Sequence, residues 1–234
     1  MSEFHWREKC LVTKDPKTQR EFFFQKYFDA FRRAAGARDD ILEIGCGRGT
    51  IGCYFAEEGK RVTLADIAPE AVDLARQNLA RLNLPGRALQ ADALRLPFAD
   101  KSFSVICSVG MIEHLEGDGY RACLAECYRV LKEDGAVCFI NGPKKFSIQT
   151  FFVKHDHYHR EAFTADDYAR ACRDAGFRKV EYFYINPFPL IETKRELFWT
   201  RVFQAVYWLR GRFLRYPMRS NKLISQGHFL IAVK

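Results

Sequence analysis

No stretch of the 234-residue sequence approaches the roughly 20 uninterrupted apolar residues that a membrane-crossing helix needs, so no span is expected. Met1 to Cys10 is charged and has no apolar core region, which argues against a secretory leader. Low-complexity tracts are missing, and with 48% hydrophobic residues the chain has the material for a full core. None of the eight cysteines, at positions 10, 46, 53, 107, 123, 127, 138 and 172, forms a C-x-x-C pair, the short spacing that zinc and redox motifs use. Several stand inside apolar runs, where a thiol behaves as a small hydrophobe. These absences together predict a cytoplasmic protein, soluble or peripheral at a membrane, with reduced core cysteines.

Charge is unevenly spread. The formal net charge of +8 admits nucleic acid, an anionic membrane or an acidic substrate as partners. From Leu190 to Lys222 there are eight basic residues (Lys194, Arg195, Arg201, Arg210, Arg212, Arg215, Arg219 and Lys222) against Glu192 and Glu196, a net +6. The rest of the chain is nearly balanced.

What the sequence does have is a glycine-rich turn after an aliphatic run, Ile41-Leu42-Glu43-Ile44-Gly45-Cys46-Gly47-Arg48-Gly49, followed by a helix-competent segment from Ile51 to Glu58. Three glycines at alternate positions permit positive φ and remove side chains that would hold a ligand off the loop. Ahead of it, Gln19 to Ala35 reads as a helix carrying Phe22, Phe23, Phe24, Tyr27, Phe28 and Phe31, with Gly36 as its C-cap. Beyond it, strands and helices alternate. Arg61 to Asp66 is a second strand, Pro69 to Leu82 a helix with proline in its first turn, Leu84 to Gln90 a third strand and Phe103 to Ser108 a fourth. Tyr120 to Leu131 is a helix closing on Lys132 and Gly135, and Ala136 to Asn141 a fifth strand. Thr164 caps a helix that runs to Gly176, Val180 to Tyr184 is a sixth strand and Gln226 to Val233 a last one. Alternating β and α units imply an α/β fold, a parallel sheet with helices on both faces, whose ligands bind at the carboxyl ends of the strands.

The loop departs from the dinucleotide fingerprint, because Thr50 stands where that pattern needs glycine. With Glu43 before it, the spacing acid-x-Gly45-x-Gly47-x-Gly49 resembles the first motif of the class I S-adenosylmethionine-dependent methyltransferases. Leu96-Pro97-Phe98-Ala99-Asp100-Lys101-Ser102-Phe103-Ser104-Val105 is similar to the family's L-P-F-x-D-x-S-F-D-x-V sequence, with Ser104 in place of the acid. Glu126 to Gly135 is similar to its E-x-x-R-V-L-K-P-G-G, with Glu133 and Asp134 in place of Pro and Gly. These motifs run in order from 41 to 141. The resemblance implies a Rossmann-like sheet of seven mostly parallel strands with the last antiparallel. It also implies one domain over 1–234, made of a helical lead-in (1–40), a cofactor-binding core (41–185) and a basic aromatic insertion (186–225).

The cofactor so implied is S-adenosylmethionine, a cation that suits an acid such as Glu43 better than a lysine. Asp66, twenty-one residues after Gly45, is positioned to accept from a ribose diol. The matching Asp92-Ala93 pair would meet the adenine. The implied cofactor-binding set is Glu43, Gly45, Cys46, Gly47, Gly49, Asp66, Ile67, Asp92, Ala93 and Ser108. Methyl transfer needs a general base only where the acceptor must lose a proton, and His114, in Gly110-Met111-Ile112-Glu113-His114 after strand four, is the candidate. Some quinone-pathway relatives carry a Glu-x-x-Glu-His metal site here, but Gly110 replaces the first Glu and no metal is expected. His159-Arg160-Glu161-Ala162-Phe163-Thr164 is similar to a substrate-facing loop of the family, which makes His157, Tyr158 and His159 acceptor-pocket candidates.

No Asp/Asn-Pro-Pro-Tyr follows strand four, which argues against amino methylation of adenine or glutamine, and no Pro-Cys there supports covalent pyrimidine chemistry. Oxygen or carbon acceptors on a small or lipid-like molecule remain. From Glu196 to Phe213, Phe198, Val202, Ala205, Val206, Leu209 and Phe213 share one helical face, flanked by arginines. That pattern fits an interfacial helix on an anionic bilayer through 194–222, a lid over the acceptor, or a helix packed on the domain. Basic residues in so apolar a helix suit lipid more naturally than the phosphates of a groove, which ranks nucleic acid second. An RNA methyltransferase and a non-catalytic cofactor-binding partner are the competing readings.

Overall fold

The computed structural model describes residues 19–142 (19–26 through their backbone), 163–185 and 227–234, together with Phe198, Arg201, Val202, Ala205, Trp208, Leu209 and Ser225. The sequence-expected acceptor residues His157, Tyr158 and His159, and most of 186–225, lie outside the described residues.

Seven strands form one sheet. They are β1 (Asp40–Ile44), β2 (Arg61–Asp66), β3 (Arg87–Gln90), β4 (Phe103–Val109), β5 (Leu131–Asn141), β6 (Lys179–Ile185) and β7 (Gly227–Val233), in the spatial order β3-β2-β1-β4-β5-β7-β6. Pairings among β1 to β5 are parallel, and β7 lies between β5 and β6, antiparallel to both. The helices are α1 (Gln19–Ala35), α2 (Thr50–Glu57), α3 (Pro69–Arg81), α4 (Gly119–Val130) and α5 (Ala165–Asp174), with a short 3-10 turn at Ile112–His114.

The central strands are apolar without interruption because each face of the sheet carries a helix layer. Successive residues divide between two cores. Ile41, Val105, Cys107, Ala136 and Cys138 pack with Phe31 of α1, Phe55 of α2 and Leu79 of α3. Leu42, Ile44, Ile106, Val137 and Phe139 pack with Leu124 and Cys127 of α4 and Tyr168 of α5. The seven described cysteines are all buried and unbridged, most of them on these two faces. Among the described residues, no helix is long and apolar enough to cross a membrane.

Most of the predicted elements hold, α1 and β2 to the residue. Two boundaries differ by three residues or more. β3 begins at Arg87 rather than Leu84, because Asn83 (φ 52°) and the Leu84 N–H, bonded to the Leu79 carbonyl, wind the end of α3 into a turn first. No loop separates α4 from β5: Leu131 already pairs with Phe103, and a register shift between Phe103 and Val105 absorbs the turn in which Asp134 takes φ 59°. Thr164 caps α5 as expected, in a reciprocal capping box with Asp167: its Oγ1 accepts from the Asp167 N–H at 3.2 Å, and Asp167 Oδ2 accepts from the Thr164 N–H at 2.8 Å.

The sequence motifs around β4 prove to be one mechanical unit. Arg129 of α4 donates to both carboxylate oxygens of Glu126 (2.9 and 2.8 Å), to the carbonyls of Leu96 (3.0 Å) and Phe98 (2.8 Å) and to Asp100 (2.7 Å). Glu126 in turn accepts from the Leu96 N–H at 2.9 Å. The loop before β4 is thereby clamped to the helix after it. Ser104, at the position where an acid was expected, accepts from the Asp40 N–H (2.9 Å) and donates to the Asp40 carbonyl (3.1 Å), joining the starts of β1 and β4.

Candidate cofactor site and acceptor edge

The strand order reverses between β1 and β4, so the connections leaving their carboxyl ends diverge to opposite faces and open a crevice. The glycine loop forms one wall. Gly45, Gly47 and Gly49 have φ of 56°, 51° and 73°, the left-handed region where a side chain strains the backbone. Gly45 also has no room for one, since a Cβ there would come within 2.2 Å of the Met111 side chain on the β4 exit. The loop is closed by the Gly49 N–H to the Cys46 carbonyl (2.7 Å) and tied to β2 by the Cys46 N–H to the Ala65 carbonyl (3.1 Å).

Glu43 lies beneath this loop. Its Oε2 accepts from the Gly52 N–H at 2.7 Å in the first turn of α2, and only 4% of the residue is exposed. Burial pushes its carboxyl up to about 8 against the downward pull of the Gly52 and Ile51 N–H groups. The side chain thus supports the loop from inside. Asp66, at the end of β2, accepts from the Gly47 N–H through Oδ2 (2.8 Å) and from the Ala68 N–H through Oδ1 (3.0 Å). These bonds fix the carboxylate, and each oxygen keeps lone-pair capacity for a further donor.

Next to Asp66, Ile67 is 64% exposed, unusual for a large aliphatic side chain in an ordered turn. Gln90, which pairs with Asp66 across the β2–β3 ladder, donates to the Ile67 carbonyl at 2.9 Å. On that neighbouring strand end, Asp92 accepts from the Leu94 N–H (2.9 Å), Ala93 is half-buried and Leu94 is 39% exposed. Two exposed aliphatic groups thus stand at adjacent strand ends beside a carboxylate. Ser108 is buried and donates to the Ile44 carbonyl at 2.8 Å, pinning β4 to the end of β1.

The other side of the crevice is the β4 exit. His114 is exposed at the end of the 3-10 turn. Its neighbour Glu113 reaches across to β5, where Oε1 accepts from the Gly142 N–H at 2.9 Å. Because β7 runs antiparallel, its first residues share this edge. There the Asn141 amide meets His228 Nε2 at 3.0 Å, and the imidazole lies against the Tyr168 ring at 5.5 Å. Burial pushes His228 down to about 4, so the ring is neutral and accepts the Asn141 N–H. Among the described residues, no three His, Cys, Asp or Glu side chains are grouped to hold a metal ion.

Residues 41–135 match the family described as a methyltransferase domain. Over 122 residues the chain is 33% identical to the demethylmenaquinone methyltransferase of Deinococcus radiodurans, covering 48% of this chain and 49% of that protein. Over 101 residues it is 35% identical to the malonyl-[acyl-carrier protein] O-methyltransferase of Serratia marcescens, covering 43% and 37%. The chain thus spans about half or less of the length of these curated relatives. Its fold is shared with an S-adenosylmethionine-dependent methyltransferase from Archaeoglobus fulgidus, at a TM-score of 0.66 and 18% identity over 92% of this chain and 94% of that one.

The crevice fits the cofactor expected from the sequence. The glycine wall admits close approach of a ligand, Asp66 offers oxygen acceptors at the height of the loop, and Ile67 and Leu94 expose apolar surface of the kind that suits a flat aromatic ring. Glu43, expected to suit a cation, is instead buried beneath the loop and held protonated to about 8, so it lends that cation no charge. Two features of the site escaped the sequence reading. His228 stands between glycine and phenylalanine in an apolar strand, a context that reads as core, and Asn141 is simply the last residue of a strand. Arg129 lay in a quoted motif, yet nothing local showed that it grips the Leu96–Asp100 loop.

Proposed function

We propose that the chain transfers a methyl group from S-adenosylmethionine to an oxygen, or a carbon, of a small-molecule or lipid-like acceptor, with His114 as the general base where that acceptor carries a hydroxyl. The single observation that carries this reading is the contact of Met111 with Gly45. It sets the start of the segment that carries the exposed His114 beside the glycine loop, which supports a role for that segment next to the cofactor. S-adenosylmethionine supplies an electrophilic methyl on a sulfonium leaving group, so the protein's work is to position and to exclude water. Asp66 holds the ribose hydroxyls, Ile67 and the Asp92–Ala93 turn hold the adenine, and the Glu113–Gly142 bond fixes the segment on which His114 takes the acceptor's proton. Support for an oxygen acceptor and for an apolar or carrier-bound one comes from the relatives named for malonyl-[acyl-carrier protein] and demethylmenaquinone. An anionic membrane reached through 194–222 is the proposed partner surface.

The test is transfer of labelled methyl into fractionated lipid, small-molecule and RNA pools. Label is expected in the lipid or small-molecule fraction. His114→Ala should lower turnover roughly a hundredfold and erase the acid limb of the pH profile, while Asp66→Ala should weaken cofactor binding by calorimetry roughly tenfold or more without changing that limb. Label confined to RNA, or a His114→Ala enzyme of unchanged rate at every pH, would defeat the proposal.

A further inference from the structure

Two buried polar side chains on the acceptor edge have no role in the proposed reaction. His228 is 4% exposed and Tyr168 2%, and their rings lie against each other, joining α5 to the start of β7. The state of their polar atoms is unusual. A neutral imidazole carries one proton, and with Nε2 taking the Asn141 amide N–H at 3.0 Å that proton sits on Nδ1. Among the described residues the Nδ1–H meets no acceptor, and the Tyr168 hydroxyl makes no hydrogen bond either. A buried donor left unpaired costs free energy, so native proteins pair nearly all of them. Neither atom is fully enclosed. Each therefore keeps an opening through which a partner can reach it.

The pair is held in place from several sides. His228 stands opposite Asn141, the last residue of β5, and Gly227 before it lets the strands close, since a Cβ there would come within 2.3 Å of the Asn141 carbonyl. Tyr168 is braced by Tyr120 of α4 and by Phe163, with ring centroids at 5.6 and 6.0 Å. Two donors are thus set side by side in an aromatic wall, on the edge that also carries the Glu113–Gly142 bond. Donors fixed in this way bind an oxygen without rearranging.

We infer that His228 and Tyr168 hold a neutral carbonyl oxygen of the acceptor, His228 through Nδ1–H and Tyr168 through its O–H. The surrounding charge selects a carbonyl over a carboxylate. Glu113 lies within electrostatic reach of Tyr168 and Asp166 of His228, and both acids repel a further negative charge. This assignment rests on the reading of the edge as the acceptor side of a methyl transfer, and it adds which part of the acceptor is recognised.

The experiment compares three probes of similar shape on the full chain saturated with S-adenosylhomocysteine, which keeps them out of the cofactor crevice. They are acetophenone, α-methylstyrene, in which a methylene replaces the carbonyl oxygen, and benzoate. Acetophenone is expected to bind roughly 10-fold more tightly than either, with its labelled carbonyl carbon moved downfield in NMR. The His228 Nδ1–H proton, identified by its loss in His228→Gln, should move downfield with acetophenone and stay in place with α-methylstyrene. Tyr168→Phe removes only a hydroxyl that bonds nothing in the protein. Its melting temperature and S-adenosylhomocysteine affinity should equal those of the wild type, while the preference for acetophenone falls to about 3-fold.

Side chains that merely hold an ordered water would give equal affinity for acetophenone and α-methylstyrene, or a preference that Tyr168→Phe leaves intact. Either result overturns the inference, as does tighter binding of benzoate or binding of none of the three. An enzyme that prefers acetophenone but places methyl label only in RNA would refute the proposed reaction and leave the carbonyl site standing. One that labels small molecules and shows no such preference would refute the site alone.

Discussion

Replacing Glu43 with glutamine is expected to uncover a pH dependence of folding that two buried groups conceal in the wild type. Glu43 loses its proton near 4.5 in the unfolded chain but retains it to about 8 when folded. Between those values the folded state holds one proton more, so stability falls as pH rises, by about 1.4 kcal/mol per pH step and about 5 kcal/mol over the window. His228 works in the opposite sense. The unfolded imidazole takes up a proton near 6.5 and the folded one only near 4, so stability falls as pH drops between them, by about 3 kcal/mol. From pH 4.5 to 6.5 the two states bind equal numbers of protons at these sites and the contributions cancel. From 6.5 to 8 only Glu43 acts, and stability declines by about 2 kcal/mol. The carboxyls held low by basic partners, such as Asp40 at about 2 beside Arg61 and Lys132, titrate below this range.

In Glu43→Gln the side-chain carbonyl still accepts from Gly52, but the proton exchange is gone. Urea unfolding followed by circular dichroism should then show stability rising by about 3 kcal/mol from pH 4 to 6.5 and level to pH 8. His228→Gln should show the mirror image, a steady fall from 4.5 to 8. Changes of this size are a large share of a typical domain's stability of about 5–15 kcal/mol and stand well above the error of the measurement. If Glu43→Gln and the wild type give parallel curves from pH 5 to 8, the carboxyl does not carry its proton beneath the loop and the reasoning fails.

Gly45→Ala should destabilise the domain by about 2 kcal/mol and abolish measurable cofactor binding in calorimetry, because the new Cβ meets both a left-handed backbone and the Met111 side chain at 2.2 Å. Gly36→Ala is its control: with the same φ (57°) but nothing within 4 Å, it should cost only about 1 kcal/mol and leave binding intact. Arg129→Met should cost about 3 kcal/mol, as it strips charged hydrogen bonds from Leu96, Phe98, Asp100 and Glu126. Amide exchange should accelerate first in 96–100; a uniform acceleration across the domain would mean the clamp is not local.

How much was legible in the sequence depended on how far apart the interacting residues lie. The glycine loop, the acid at the end of β2 and the alternation of strands and helices are local patterns, and they lie where expected. The direction of Glu43 was not local. In a strand buried on both faces, an acid between Leu42 and Ile44 can point toward a ligand or beneath the helix that follows, and only the packed structure shows the second. The His228–Asn141 pair joins residues 87 apart in sequence, and Arg129 reaches 33 residues back to Leu96. Both depend on the strand order. β5 began early for a similar reason, since the pairing of Leu131 with Phe103 outweighed the glycine and lysine that read as a helix end.

The position of β7 has a consequence for how the molecule is made. Among the described residues β6 pairs with β7 alone, and β7 fills the gap between it and β5. As the chain leaves the ribosome, β6 emerges with no strand to bond, and the growing edge of β5 stays bare while the whole of 186–226 is synthesised. The sheet closes only when Gly227 to Val233 slides in between them, so the last strand to appear completes the middle of this half of the sheet rather than its rim. A nascent chain halted in that interval would present two open strand edges at once, the surfaces through which partly made proteins associate.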